Sequence, residues 1–238
     1  MKHIVAMGGG GFLGEPENPL LDDYVLSLAS RPRPRILFLP TASGDSPETI
    51  VRFYRSFHAR RCEPSHLELF RRNVDDLRDL VLGQDVVYVG GGNTANMLAV
   101  WKVHGLDVIL RDAWNVGVIL AGVSAGALCW FDGGVTDSFG QELVPLRGCL
   151  GLLPGTFVPH YDGEPRRRPA FHRSVSKGLP AGYGADDGVA LHYADDGLAD
   201  VVASRPHVRA YEVALSAGGI GVVETPIVPR FLGNGAHL

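Results

Sequence analysis

Short apolar runs separated by longer amphipathic segments constrain this chain more than any other feature. Ile4 to Met7, Ile36 to Leu39, His66 to Phe70, Val86 to Val89 and Val116 to Leu120 are each too short for a helix. Runs that are almost continuously apolar belong to strands covered on both faces. Between them, Ser46-Pro47-Glu48 predicts a helix start, with a cap followed by proline in the first turn. Ile50, Phe53, Tyr54 and Phe57 then recur at i, i+3, i+4 and i+7, a stripe that faces a sheet. Thr94 to Val103 and Leu106 to Trp114 read as helices in the same way. This β-α-β-α order predicts an α/β fold built on a doubly wound, mostly parallel sheet. After about Leu143 the pattern turns to short strands and turns rich in Gly, Pro and Asp. We take that part as the second half of one domain spanning residues 1–238, because no repeat or low-complexity linker divides the chain.

Charge and cysteine usage narrow the function classes. The formal net charge of −4 is spread along the chain, and the one basic run, Arg166-Arg167-Arg168, is too short for a nucleic-acid footprint. Cys62, Cys129 and Cys149 are far apart and form no C-x-x-C, which fits neither a disulfide framework nor a zinc site. No H-E-x-x-H or other ligand cluster calls for a metal. Met1-Lys2-His3 leads straight into the first apolar run, and no stretch approaches 18 apolar residues. The expectation is a cytoplasmic protein with no membrane or nucleic-acid partner and no cofactor; a homo-oligomer stays open.

In open α/β sheets the chemistry collects beyond the carboxyl ends of the strands. Four loops there stand out: Gly8 to Gly11, Pro40 to Gly44, Gly90 to Asn93, and Ala121 to Gly126. The last contains Gly122-x-Ser124-x-Gly126 between a strand and a helix, the setting of a nucleophile elbow. There the serine is held on a sharp turn with its oxygen exposed, and the N–H of Ala125 at the helix start is free to meet an oxyanion. The plain alternative is that Ser124 only caps the helix.

A serine nucleophile needs a base. Of the nine histidines, His160 in Val158-Pro159-His160-Tyr161-Asp162 follows an apolar stretch and precedes a polar loop, which places it at a strand end. His58, His66 and His192 read as structural. A third group must orient the imidazole, and Asp137, Asp162, Asp186 and Asp187 are all candidates on spacing alone. The loop Gly90-Gly91-Gly92-Asn93-Thr94 offers close-approaching N–H groups as a second oxyanion donor. Gly9-x-Gly11-x-x-Gly14 matches a dinucleotide fingerprint, but Glu15-Pro16-Glu17-Asn18-Pro19 stands where the pyrophosphate helix should begin.

Taken together, Gly90-Gly91-Gly92-Asn93-Thr94, Gly122-x-Ser124-Ala125-Gly126-Ala127, Gly151-Leu152-Leu153-Pro154 leading to Pro159-His160-Tyr161, and Gly163-Glu164-x-Arg166 resemble the peptidase E (aspartyl dipeptidase) family, with cyanophycinase as a more distant relative. The resemblance implies a glutamine-amidotransferase-like, flavodoxin-like three-layer fold and a cofactor-free serine hydrolase. It matches Ser124 to the nucleophile, His160 to the base, and Gly92, Gly91 and Ala125 to the oxyanion hole. In the family a glutamate before a glycine completes the triad; Asp187-Gly188 fills that place here, so the resemblance selects Asp187. It further implies substrate contacts at Asn93, Glu164 and Arg166, the arginine reading an acidic substrate side chain. The loop from His160 to this segment is short here, which argues against carrying over the preference for Asp-X dipeptides. The expected activity is therefore hydrolysis of small peptides or amides. An amidase or esterase of the same fold, and a binding or sensing protein that keeps the elbow, are the alternatives.

Overall fold

The computed structural model describes residues 1–235. Its elements follow as β1 (His3–Met7), α1 (Gly11–Gly14), α2 (Leu20–Ser27), β2 (Arg35–Leu39), α3 (Pro47–Ser56), β3 (Glu63–His66), α4 (Leu77–Leu82), β4 (Val86–Val89), α5 (Thr94–His104), α6 (Leu106–Asn115), β5 (Ile119–Val123) and α7 (Ala125–Leu128). There follow β6 (Gly133–Thr136), β7 (Val144–Arg147), β8 (Thr156–Val158), α8 (Arg167–Ser176), β9 (Gly182–Ala185), β10 (Val189–Ala194), β11 (Gly197–Ala203), β12 (Ala210–Leu215), β13 (Val222–Ile227) and β14 (Arg230–Phe231).

Eight strands form one sheet in the order β14-β11-β10-β1-β5-β4-β2-β3. From β1 through β5, β4 and β2 to β3 all neighbours are parallel, while β10 is antiparallel to both β1 and β11. The strand period of two explains why the runs are apolar throughout. Ile4, Ala6, Leu37, Leu39, Val87 and Val89 point to one face, where they meet Val81, Trp101, Leu106 and Leu110 of α4, α5 and α6. Val5, Met7, Ile36, Phe38, Val86 and Tyr88 point to the other, against Phe12, Leu21, Val25 and Phe53 of α1, α2 and α3 and Phe57 at the C-cap of α3. The result is the expected helix–sheet–helix layering of a flavodoxin-like α/β fold.

Two strand expectations shift. The third strand is Glu63–His66, not His66 to Phe70. It is a polar edge strand containing Pro64, a residue that edges tolerate. The apolar residues after it are held otherwise: Leu69 and Phe70 donate their N–H groups to Asp45 Oδ2 at 2.6 and 2.8 Å. The fifth strand is Ile119–Val123, not Val116 to Leu120, because Val116 caps α6 and Gly117 turns the chain at φ +96°. The α3 stripe is narrower than its spacing suggests, since Phe53 and Phe57 are buried but Tyr54 is partly exposed.

The region after α7 builds a second, six-stranded sheet, β13-β12-β9-β8-β6-β7, which the turn-rich sequence does not announce. Phe157 on β8 and Ala210 on β12 share one apolar cluster with the α4–α6 face of the larger sheet. What this arrangement does for the site is to align strand ends. Register pairs Met7 with Val123 and Val89 with Gly122, so β1, β4 and β5 finish side by side. The N–H of His160, just past β8, donates to Gly8 O at 3.1 Å, which ties the end of the second sheet to the same edge.

Candidate active site

Ser124 sits between β5 and α7 at φ 57° and ψ −116°, a conformation that L-residues rarely adopt. The elbow is tight enough to require glycine on either side. A Cβ on Gly122 would lie 2.1 Å from Gly126 O, and one on Gly126 would lie 2.3 Å from Val89 O. Ser124 also donates its N–H to Met7 O at 3.1 Å, so β1 holds the elbow from beside it. No side-chain cap bond is made by Ser124 to α7, which removes the plain reading of a capping serine.

Ser124, His160 and Asp187, the set that the family resemblance selects, lie within hydrogen-bonding distance of one another in series. His160 Nε2 lies 2.9 Å from Ser124 Oγ, and His160 Nδ1 lies 2.6 Å from Asp187 Oδ1. His160 itself adopts φ 53°, a second strained non-glycine residue at the same site. Burial pushes the Asp187 carboxyl up, but the hydrogen bond with His160 and the charges of His160, Arg205 and Arg167 outweigh it and hold the group below the usual carboxylate range. Asp187 is thus anionic near neutrality and accepts from His160 Nδ1–H. The opposite ring nitrogen, Nε2, faces the Ser124 hydroxyl.

The other aspartates have different tasks. Asp162 Oδ1 accepts the N–H of Asp187 at 2.8 Å, and Arg205 donates to Asp187 O, so both fix the backbone of the acid. Asp186 is buried and accepts from Arg209 N–H at 2.8 Å; burial pushes its carboxyl up to about 6. Asp137 lines the cleft but lies outside the relay. Of the histidines read as structural, His192 bridges His3 and Tyr24, and His66 bonds Tyr54.

Ser124 and His160 open into a cleft of about 140 Å³ lined also by Gly92, Thr94, Ala125, Leu128, Thr136, Asp137, Pro159, Glu164 and Arg167. The N–H groups of Gly92 and Ala125 have no acceptor among the described residues, so both stay available to a bound oxygen. Gly92, at φ +140°, passes so close to the β2 loop that a Cβ would come 2.1 Å from Ala42 O. Gly91 packs on Ser124, where an added Cβ would sit 3.2 Å from Ser124 Cβ. Asn93 caps α5 through Asn96 N–H at 2.9 Å and donates to Ser138 O at 2.9 Å; it shapes the cleft wall from behind. Among the described residues no group of His, Cys, Asp or Glu is arranged to hold a metal ion.

The two arginines that follow Glu164 are placed differently. Arg166 is exposed at the cap of α8 and does not line the cleft; Arg167, one residue on, is buried and does. The glycine loop after β1 also has a different role from a dinucleotide fingerprint. A Cβ on Gly9 would lie 1.9 Å from Asp187 Oδ1 and 3.0 Å from His160 Nδ1, so this glycine makes room for the acid–base hydrogen bond. Spacing could not show this, because the partners are far away in the chain. Thr94, Thr136 and Leu128 were equally invisible as lining residues, although Thr94 closes the Gly90-to-Thr94 motif.

A family model for peptidase family S51 matches residues 4–201. The chain is 53% identical, over 234 residues covering 98% of it and 100% of the relative, to the protein named uncharacterized peptidase YgaJ of Bacillus subtilis (strain 168). It is 27% identical over 157 residues to peptidase E of Shewanella denitrificans, covering 60% of this chain and 66% of that one. The crystal structure of a peptidase from an acI-B1 Actinobacterium superposes with a TM-score of 0.68 over 96% of this chain and 95% of that chain; at 19% identity the likeness is one of fold. With the family model spanning most of its length, the chain belongs to peptidase family S51.

Proposed function

We propose that this peptidase is a serine hydrolase of small peptides or amides that works through Ser124, His160 and Asp187. The observation that carries the reading is the continuous relay from Asp187 Oδ1 through the imidazole to Ser124 Oγ, with the serine on a strained elbow. His160 Nε2 takes the hydroxyl proton as Ser124 Oγ attacks the carbonyl carbon. The N–H groups of Gly92 and Ala125, with Gly91 beside the serine, receive the oxyanion, each donor contributing about 3 kcal/mol. His160 then protonates the leaving amine, and a water activated by the same imidazole hydrolyses the acyl-enzyme. Asp187 keeps the ring in the tautomer that each step needs.

Both sheets supply the machinery, Ser124 from β5, His160 from after β8 and Asp187 from between β9 and β10, which supports one hydrolase domain over residues 1–238. The free thiols Cys62, Cys129 and Cys149 fit a reducing compartment, and we place the protein in the cytoplasm. The test is labelling of native protein with a fluorophosphonate, with Ser124→Ala and Asp187→Ala alongside, followed by a panel of free dipeptides, blocked amides and simple esters. Label on Ser124 with amide hydrolysis that Ser124→Ala abolishes is the expected result. Ester turnover alone would favour an esterase, and an unlabelled Ser124 would refute the nucleophile and favour a binding protein.

A further inference from the structure

Besides His160, three charged side chains line the catalytic cleft: Asp137, Glu164 and Arg167. Arg167 is the cation that an acidic substrate would need, yet its guanidinium is already engaged. Only 5% of its side chain is exposed; Nε donates to Glu164 Oε2 at 2.8 Å and Nη2 to Glu164 Oε1 at 3.2 Å, while Nη1 donates to Val135 O at 3.1 Å. The planar fork that could grip a carboxylate bidentately is closed by a carboxylate of the chain itself.

Asp137 is left over. Its Oδ2 lies 3.8 Å from Arg167 Nη2, beyond hydrogen-bonding distance, and its side chain is 56% exposed. The backbone that presents it is nevertheless pinned. Thr136 Oγ1 and Ser138 Oγ lie 2.7 Å apart, Ser138 O accepts from Asn93 Nδ2 at 2.9 Å, and Ser138 Oγ accepts from Ala95 N–H at 3.2 Å. A fixed loop thus holds a second carboxylate, within ion-pair reach of an arginine that Glu164 already bonds, at the wall of a cleft that also contains Ser124, so two carboxylates share one cation. A substrate carboxylate entering here would meet one negative charge in excess, or would have to displace Glu164 from a buried arginine.

We propose that this cleft selects substrates carrying a cationic group close to the scissile bond, an ammonium or guanidinium received by Asp137, and discriminates against acidic ones. The Glu164–Arg167 pair sets that preference by cancelling the arginine. The inference rests on Ser124 being the nucleophile of the same cleft.

The test is the binding of small amides to Ser124→Ala protein by calorimetry, so that no turnover intervenes. Lys-amide, Ala-amide and Asp-amide are compared with Nα-acetyl-Lys-amide and Nα-acetyl-Ala-amide, with and without Asp137→Asn. The expected result is Lys-amide binding about tenfold more tightly than Asp-amide, the worth of one hydrogen bond to a charged group, with Asp137→Asn removing the difference. Acetyl-Lys-amide outcompeting acetyl-Ala-amide identifies the side chain as the cation; free Ala-amide outcompeting its acetylated form identifies the amino terminus. Glu164→Gln, which frees the arginine, is expected to shift the order toward Asp-amide. Tightest binding of Asp-amide in the Ser124→Ala parent, equal or undetectable binding of all five, or an order that Asp137→Asn leaves unchanged would overturn the proposal. Failure of fluorophosphonate labelling in the wild type would instead count against the nucleophile, and the binding order would still decide the charge preference.

Discussion

Replacing Asp187 by asparagine keeps the size of the side chain and removes its charge. In the folded protein Asp187 Oδ1 lies 2.6 Å from His160 Nδ1, so the centres of the delocalised charges are about 4 Å apart once His160 becomes an imidazolium. At an effective dielectric of about 20 that attraction is worth ~4 kcal/mol. Both side chains are partly open to water, 26% and 33% exposed, so screening takes some of it back. Asparagine adds a second loss, because its amide can donate to Nδ1 and so stabilise the tautomer in which Nε2 carries a proton and cannot accept one from Ser124. The two effects together predict a fall in acylation rate of about 10³ to 10⁴, and the same substitution in other serine triads costs about 10⁴. The assay is the second-order rate of fluorophosphonate labelling at neutral pH, with circular dichroism and thermal melting to show that the variant is folded. Asp162→Asn should cost about tenfold, since Asp162 only positions the backbone N–H of Asp187. Retention of activity within tenfold in Asp187→Asn, with collapse in Asp162→Asn or Asp186→Asn, would refute the reasoning.

Two glycines should fail differently. In Gly9→Ala the new methyl meets the Asp187 carboxylate, which can move aside, so labelling should fall about as far as in Asp187→Asn while the melting temperature changes little. In Gly126→Ala the obstacle is the carbonyl of Val89 in a central strand, so the variant should lose about 3 kcal/mol and melt roughly 6–12 °C lower. Burial pushes Asp22 up to about 7 from 3.8, so the folded state favours its protonated form; the stability this brings is fully present below about pH 4 and is lost as pH rises toward 7. Asp22→Asn, which can still accept from Tyr88 OH, should therefore stabilise the protein at pH 8 by at most ~4 kcal/mol and hardly at pH 4, as read by denaturant titration at both values. Arg166→Ala should leave turnover within twofold, because its side chain is exposed outside the cleft, whereas Arg167→Ala should alter both turnover and stability; equal effects would contradict the placement.

Legibility in this sequence follows the range of the interactions that decide each feature. Ile4 to Met7, Ile36 to Leu39 and Val86 to Val89 are readable because strands buried on both faces must be apolar at every position. β3 is not, because an edge strand reading Glu-Pro-Ser-His needs no apolar face. The start of β5 is blurred because Val116 and Val118 read as one apolar run, although Val116 caps α6 and Gly117 at positive φ turns the chain between them. Ser124 and His160 are readable from local context, a turn and a strand end. Asp187 is chosen over its neighbours by family resemblance, since its selection depends on a contact across Gly9 at the other end of the chain.

Arg167 is the instructive case, because the information was local. In α8 the buried positions are Arg167, Ala170, Phe171, Ser174 and Val175, the i, i+3, i+4, i+7 pattern of one helix face. Within Arg166-Arg167-Arg168 the residue that points inward is therefore fixed by Ala170 and Phe171 downstream, and the distance of an arginine from His160 along the chain does not decide it. Arg166 lies outside the cleft, and helix phase turns Arg167 toward it. Phase also sets its charge state in the site. Glu164 stands three residues before Arg167, close enough to bridge it at 2.8 Å, so the arginine that reaches the cleft arrives already hydrogen-bonded to a carboxylate, with Asp137 a more distant ion-pair partner at 3.8 Å.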